Sequence, residues 1–509
     1  MSDTYDAIII GAGVIGGAIA HELAGRGWRT LTVDKAATAG SGSTINSCAI
    51  VRFSYSSVEG INLAWEGMHY WKDWPAYIGA DDELGLIEYH MTGQLVIQPP
   101  GAATHAERVK MLWDEMGIPH EVWDTATIRE RCPYLDPALF GPPARPEDEE
   151  FWKDPTGAIE TGYFTPDAGY VSDPQLSCHN LQRGAEANGA EFWFRAEVVS
   201  VDRAEGRVAG VTLADGRAPR APVVVNVAGP HSYLVNQMAG VYDSMNIKTR
   251  ALRHEVHHVP SPEGVDFDRL GVTAADDDLG IYFRPEVGNN ILIGSGDPVC
   301  DAREFVDPDD YDDTLDDEQW EVQVLRANRR LPGIGMPHEK KGIVDLYDVS
   351  DDWIPIYDRT DLDGFYVAIG TSGNQYKNAG SAGQLMAELI VAVETRPRPR
   401  CRPARRSRAL HRRPPRHRIL QPESRDQPEF VDVGARLRVR DGRDRPDRIR
   451  RCRRGLRAGP SRCPGRAVRT AGEVRGGLAR PGRHRPRDRH WHHRAATRGS
   501  RLSGDRDRP

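Results

Sequence analysis

No apolar run in this chain approaches the ~18 residues that cross a bilayer, and no N-terminal stretch joins a basic flank to an apolar core and a cleavage site. The expectation is a cytoplasmic protein without a transmembrane segment. Cysteine is scarce, with seven in 509 residues. Cys48, Cys132, Cys178 and Cys300 lie far apart and without metal-ligand spacing, which argues against a disulfide framework and against a zinc site. Reduced thiols and no bound metal are expected. Lysine is missing altogether beyond Arg396, where about a third of the residues are Arg.

That last absence divides the chain. The net charge of −7 averages a tail of roughly +26 and a preceding body of roughly −33. The tail, 396–509, is rich in Arg, Pro, Gly and His, has no apolar periodicity, and holds a single Trp and one Phe. Nucleic-acid arms usually mix Lys with Arg and interleave aromatics, so no nucleic-acid partner is expected. Two readings stay open: a segment too polar to offset the entropy of ordering, and therefore disordered, or a GC-rich gene translated out of frame.

What is present is concentrated at the start of the body. An apolar strand, Ala7 to Ile10, runs into Gly11-Ala12-Gly13-Val14-Ile15-Gly16, an apolar helix face, a second strand from Leu31 to Val33, and Asp34. Gly11 allows the tight turn, Gly13 lets the backbone approach a pyrophosphate, Gly16 lets the helix pack on the strand, and Asp34 can accept from ribose hydroxyls. This is the pattern of a dinucleotide site. The motif starts almost at residue 1, with no other cofactor domain before it, which favours FAD over a nicotinamide.

Downstream, Gly40 to Ser47 is a small-residue stretch suited to a ligand loop. Ile61, Ala64, Trp65, Met68 and Trp71 recur at helical spacing, so these tryptophans read as core. Further helices are predicted over Thr104 to Met116, Thr125 to Arg131, Pro174 to Gly189 and Ala382 to Ala392. Strands are predicted at Gly93 to Ile97, Glu191 to Phe194, Glu197 to Asp202, Val208 to Leu213 and Val223 to Val227. Others follow at Lys248 to Val259, Gly280 to Arg284, Asn290 to Gly294 and Phe365 to Ile369.

Four segments in this order resemble the D-amino-acid oxidase and sarcosine oxidase superfamily of FAD-dependent amine oxidoreductases. They are the glycine motif, the Gly42-Ser43-Thr44 loop running to Arg52 and Tyr55, the Val223 to Gly229 strand and turn, and the closing Gly370 to Lys377 segment. The likeness covers nearly all of residues 5–393. It implies an α/β (α+β) fold: a discontinuous Rossmann-like FAD-binding domain (1–85, 150–235 and 340–395) and an antiparallel-sheet substrate domain (86–149 and 236–339). It implies FAD, which the departures given below make non-covalent, held by Gly11, Gly13, Val14, Ile15, Gly16, Asp34 and Lys35, then Ser43, Thr44, Asn46 and Ser47, then Val198, Ala228 and Gly229. Gly370, Ser372, Gly373, Asn374, Gln375 and Lys377 close the set. Arg52 and Lys377 match positions that bind a substrate carboxylate, and Tyr55, Tyr282 and His254 are candidates for shaping the pocket. For the two cations the other reading is an ion pair with surface acids of this acidic body.

The implied activity is oxidation of the C–N bond of a small N-methylated or secondary amino acid to an imine. A flavin oxidase of a carboxylate-free amine, or a non-catalytic flavin-bearing assembly protein, are the alternatives. The acceptor is oxygen, a quinone or a flavoprotein. Departures from the resembled pattern are informative. Asp345 falls where monomeric sarcosine oxidases carry a flavin-linked Cys, and Asn46 near a flavin-linked His of dimethylglycine dehydrogenases; neither side chain can make that bond. Ala49 replaces an Arg, Asn374-Gln375-Tyr376 replaces His-Gly-Phe, and Leu292 stands in the place of a Lys that promotes reaction with oxygen, with Lys377 or Arg284 the cations that could compensate.

Overall fold

The computed structural model describes residues 4–99, 103–395 and the two-residue strand Arg436–Leu437. Expectations about the rest of the tail lie outside the described residues. A seven-stranded sheet has the order Glu191–Trp193, Thr30–Val33, Ala7–Ile10, Val223–Asn226, Phe365–Ile369, Ile356–Arg359, Arg436–Leu437. Its first five strands run parallel. Every residue of Ala7–Ile10, Val223–Asn226 and Phe365–Ile369 is buried, the continuous apolar pattern of strands covered on both faces. Helices Val14–Gly25, Val58–Lys72, Pro174–Ala187 and Ala379–Glu394 pack on one face, and the hairpin Val198–Ala204/Arg207–Leu213 with helix Ser232–Met238 contributes to the core on the other.

A nine-stranded sheet forms the second layer. Its order is Glu304–Val306, Thr249–Pro260, Asn290–Ser295, Ile281–Glu286, Thr273–Asp276, Gln94–Ile97, Gly162–Thr165, Glu121–Trp123, with Gly342–Ser350 pairing alongside Thr249–Pro260. Helix Asp317–Arg330 buries Trp320, Val324 and Ala327 in the core of this layer. Sequence patterning passed over that helix, although Asp316 caps Gln319 N at 2.8 Å and acids open it while Arg329 and Arg330 close it. Strands Gly162–Thr165 and Gly342–Ser350 belong to this sheet, so sheet membership crosses the boundaries expected at 150 and 340. Hydrogen-bond register decides which sheet a short strand joins, and composition does not carry it. Trp71 is buried and stacked between Trp74 and Tyr376, as a core reading requires. Among the described residues no helix is long and apolar enough to cross a membrane, and the four body cysteines are free.

Candidate active site

One continuous cavity of about 1590 Å³ runs from the glycine motif to the floor made by the nine-stranded sheet. That exceeds the ~300–1,000 Å³ of a typical small-ligand pocket and leaves room for a dinucleotide with a substrate beside it. Its nucleotide end is built by the first strand, turn and helix. Gly11 sits at φ +113°, and a Cβ there would lie 2.3 Å from the carbonyl oxygen of Val227, so only glycine lets these two strand ends meet. Helix Val14–Gly25 has Gly13 as its N-cap with no side-chain cap there, and its first turn, Val14, Ile15 and Gly16, lines the cavity, the setting in which a helix N-terminus meets an anion. Thr44 Oγ1 accepts from Val14 N at 3.2 Å and brings the second ligand loop over this turn. Asp34 accepts from Ala12 N at 2.7 Å and Ala36 N at 2.8 Å, and each carboxylate oxygen keeps a further lone pair for a ribose hydroxyl. These groups fit FAD.

Every FAD-binding candidate named above lines this cavity except Gly370. Gly370 acts from behind, its amide donating to Asp348 Oδ2 at 2.6 Å. Tyr55 is also absent from the lining: it is buried beneath Arg52, whose guanidinium lies 4.7 Å from the ring centroid. Lys35 stands at an exposed edge, bonded to Asp309 and, at 2.8 Å, to His231. The two positions weighed for covalent attachment meet, Asn46 Nδ2 donating to Asp345 Oδ2 at 2.6 Å.

Arg52 and Lys377 converge on Asn374. Arg52 donates to Asn374 Oδ1 and to Ser54 O (3.0 Å), and Lys377 donates to Asn374 O. Among the described residues neither forms an ion pair, so the surface-acid reading does not hold. Burial, reinforced by the charge of Arg52, holds the Lys377 ammonium well below the usual lysine range. The support for Lys377 comes from a helix that the sequence reading placed only in the core. Trp71 Nε1 donates to Lys377 O at 2.7 Å, and a Cβ at Gly67 would lie 2.4 Å from the same oxygen.

The floor follows from strand register. Gln94, Val96 and Gln98 line the cavity with Ala275, Asp277, Tyr282 and His254. Tyr282 pairs with Ala275 and Gly294, and its hydroxyl lies 3.7 Å from Cys48 Sγ and 3.4 Å from the hydroxyl of Tyr347. His254 stacks on Tyr347 at 4.4 Å. Asp277 was missed by the sequence reading. Burial and the neighbouring Asp276 push its carboxyl up to about 6, against the pull of Arg52 and Gln98.

Asp348 was missed as well. It is 1% exposed, lines the cavity, and burial pushes its carboxyl up to about 7 against the amide of Gly370. A carboxyl whose folded pKa is raised contributes stability below its unfolded value of 3.8 and loses it as pH rises through 7. The group therefore removes up to about 2–3 kcal/mol between pH 5 and pH 8. Urea midpoints of the native protein should fall over that interval, and those of Asp348→Asn should fall less. Parallel curves would show that Asp348 does not titrate there.

Known proteins resemble this chain in sequence and fold. The model of the FAD dependent oxidoreductase family matches residues 6–389. Monomeric sarcosine oxidase of Streptomyces avermitilis is 23% identical over 410 residues, 78% of this chain and 96% of that one. Sarcosine oxidase subunit beta of Rhizobium meliloti is 24% identical over 401 residues, 76% and 84% of the two chains. Among solved structures, L-proline dehydrogenase from P. horikoshii superposes with TM-score 0.64 at 21% identity, covering 77% of this chain and 95% of that one. Glycine oxidase from Bacillus cereus gives TM-score 0.60 at 22% identity over 76% and 95%. The cavity, its glycine turn and the match over most of the body lead to one conclusion: the chain belongs to the FAD dependent oxidoreductase family.

Proposed function

We propose that the protein oxidises the C–N bond of a secondary or primary amino acid to an imine, which water then hydrolyses. When bound, FAD supplies the hydride acceptor. The seven-stranded sheet carries the nucleotide end of the site and the nine-stranded sheet the substrate end. The observation that carries the reading is the Arg52–Asn374–Lys377 group, two cations in the cavity wall without an acid partner among the described residues. A planar guanidinium meets a carboxylate with two parallel hydrogen bonds and an ammonium adds a point charge, so together they fix an amino acid by its acid end. Tyr55 and Trp71, both buried, keep water from the rear of that clamp.

The decisive experiment mixes the yellow holoenzyme anaerobically with a panel of amino acids and carboxylate-free amines. Bleaching by amino acids alone is expected; bleaching only by the carboxylate-free amines, or by nothing, removes the reading. Reoxidation of the bleached protein then reports the acceptor. Leu292 pairs with Arg284, whose guanidinium is bound by the Cys48 carbonyl at 2.7 Å and by Glu286 at 2.8 Å. With that charge neutralised and no lysine on the strand, we expect a dye or quinone to outpace air, and Leu292→Lys to raise the oxygen rate alone. Equal rates with air and dye would identify an oxidase.

FAD attachment is expected to be non-covalent, because Asn46 and Asp345 hold each other and neither offers a nucleophile for the ring. Acid precipitation should carry all the yellow colour into the supernatant. A yellow pellet would locate a bond elsewhere, with Cys48 in the lining the first residue to examine.

A further inference from the structure

Three consecutive aspartates stand where the central strand of the cavity floor ends at Asp276 and a turn begins with Asp277 and Asp278. Asp276 and Asp278 turn away from the cavity and meet one buried cation: Arg330 donates to Asp276 Oδ2 at 2.7 Å and to Asp278 Oδ2 at 3.1 Å. Asp278 also accepts from the amides of Phe140 (2.9 Å) and Gly141 (3.0 Å). Asp277 turns into the cavity and receives none of this. Its side chain has one hydrogen bond among the described residues, a long one from Gln98 Nε2 at 3.4 Å, and no ion pair.

A carboxylate that lines a cavity without a cation becomes costly once a bound ligand displaces its water, unless that ligand supplies the partner. Arg52 does not supply it, because no ion pair within 4.0 Å joins the two among the described residues. Its field nonetheless reaches both Asp277 and Lys377, so the three charges share one compartment. Trp113, Tyr163, Val109 and Pro99 complete that part of the wall with apolar surface. Positive charge from Arg52 and Lys377, an apolar stretch, and negative charge at Asp277 describe a ligand of complementary polarity.

Resting on the reading of Arg52 and Lys377 as a carboxylate clamp, we propose that the substrate is an amino acid carrying a second, protonated nitrogen. A short hydrocarbon linker separates that nitrogen from the carboxylate, and Asp277 binds it. Asp277 then decides specificity. It selects basic amino acids over neutral ones of the same length, and acts on the substrate's far end, away from the bond that breaks.

The test uses binding first, so that it does not depend on turnover. Perturbation of the flavin spectrum of the holoenzyme is titrated with 6-aminohexanoate and with hexanoate, which differ by the terminal ammonium. We expect the native protein to prefer 6-aminohexanoate by at least ~10-fold, and Asp277→Asn to abolish the preference, since removing one partner of a desolvated pair costs ~30- to several-thousand-fold. Anaerobic bleaching by racemic lysine and racemic norleucine follows, with the Asp277→Asn loss at least ~30-fold larger on lysine. Equal affinity of the native protein for the two carboxylates overturns the proposal without needing the variant. So does an equal loss on lysine and norleucine. A 6-aminohexanoate preference that depends on Asp277, with no bleaching by any amine, would retain the binding site and reject the catalytic reading.

Discussion

Arg330→Ala is expected to lower the stability of the protein by about 3–5 kcal/mol, the cost of leaving a buried charge without its partner. Arg330 is fully buried, and so are the two aspartates it joins. Its remaining donor binds the carbonyl oxygens of Asp136 and, at 2.7 Å, Ala138, tying the loop before the cavity to the end of the central floor strand. Burial raises the Asp276 carboxyl against the pull of Arg330, the sign of a charge held in place by one neighbour. Most of the penalty should therefore disappear when Asp276→Asn and Asp278→Asn are added to Arg330→Ala, because the neutral amides need no cation. Urea midpoints of the three proteins decide it. A single variant within about 1 kcal/mol of the native protein would contradict the account, since that is the range of a surface ion pair.

Arg52→Ala should reduce kcat/KM for the amino acid by ~30- to several-thousand-fold, corresponding to ~2–5 kcal/mol for one member of a desolvated charge pair. The methyl ester or decarboxylated analogue should lose far less, having no carboxylate to place. The same substitution removes a bond to Asn374 Oδ1 and a cation over Tyr55, so flavin content must be measured alongside. Retained flavin with a selective loss on the acid supports the clamp. Equal losses on acid and ester would show that Arg52 steadies the closing loop and does not touch the carboxylate.

The residues readable in the sequence were those whose chemistry is local. Gly11, Gly13 and Asp34 sit within one strand, turn, helix and strand unit, and their spacing is their geometry. Arg52 and Lys377 were legible only through family likeness, since 324 intervening residues separate two groups that share Asn374. Asp277 and Asp348 left no signal: in sequence they are two among many acids of an acidic body. Only the pairing of Thr273–Asp276 with Gln94–Ile97 brings the residues that follow each strand, Asp277 and Gln98, together in the cavity lining.

By itself, the sequence determined the dinucleotide turn and the core strands, because periodicity and short glycine spacing encode local backbone geometry, and the family through the likeness of four segments in order. It also separated the acidic body from the arginine-rich tail by composition alone. Tertiary structure decided which sheet Gly162–Thr165 and Gly342–Ser350 join, that Tyr55 lies buried beneath Arg52, and that Arg330 compensates two aspartates of three. Each of these depends on which segments distant in the chain are brought together. A carboxylate's charge state and partner are set by the burial and field of such neighbours, and those exist only once the two sheets have closed on the cavity.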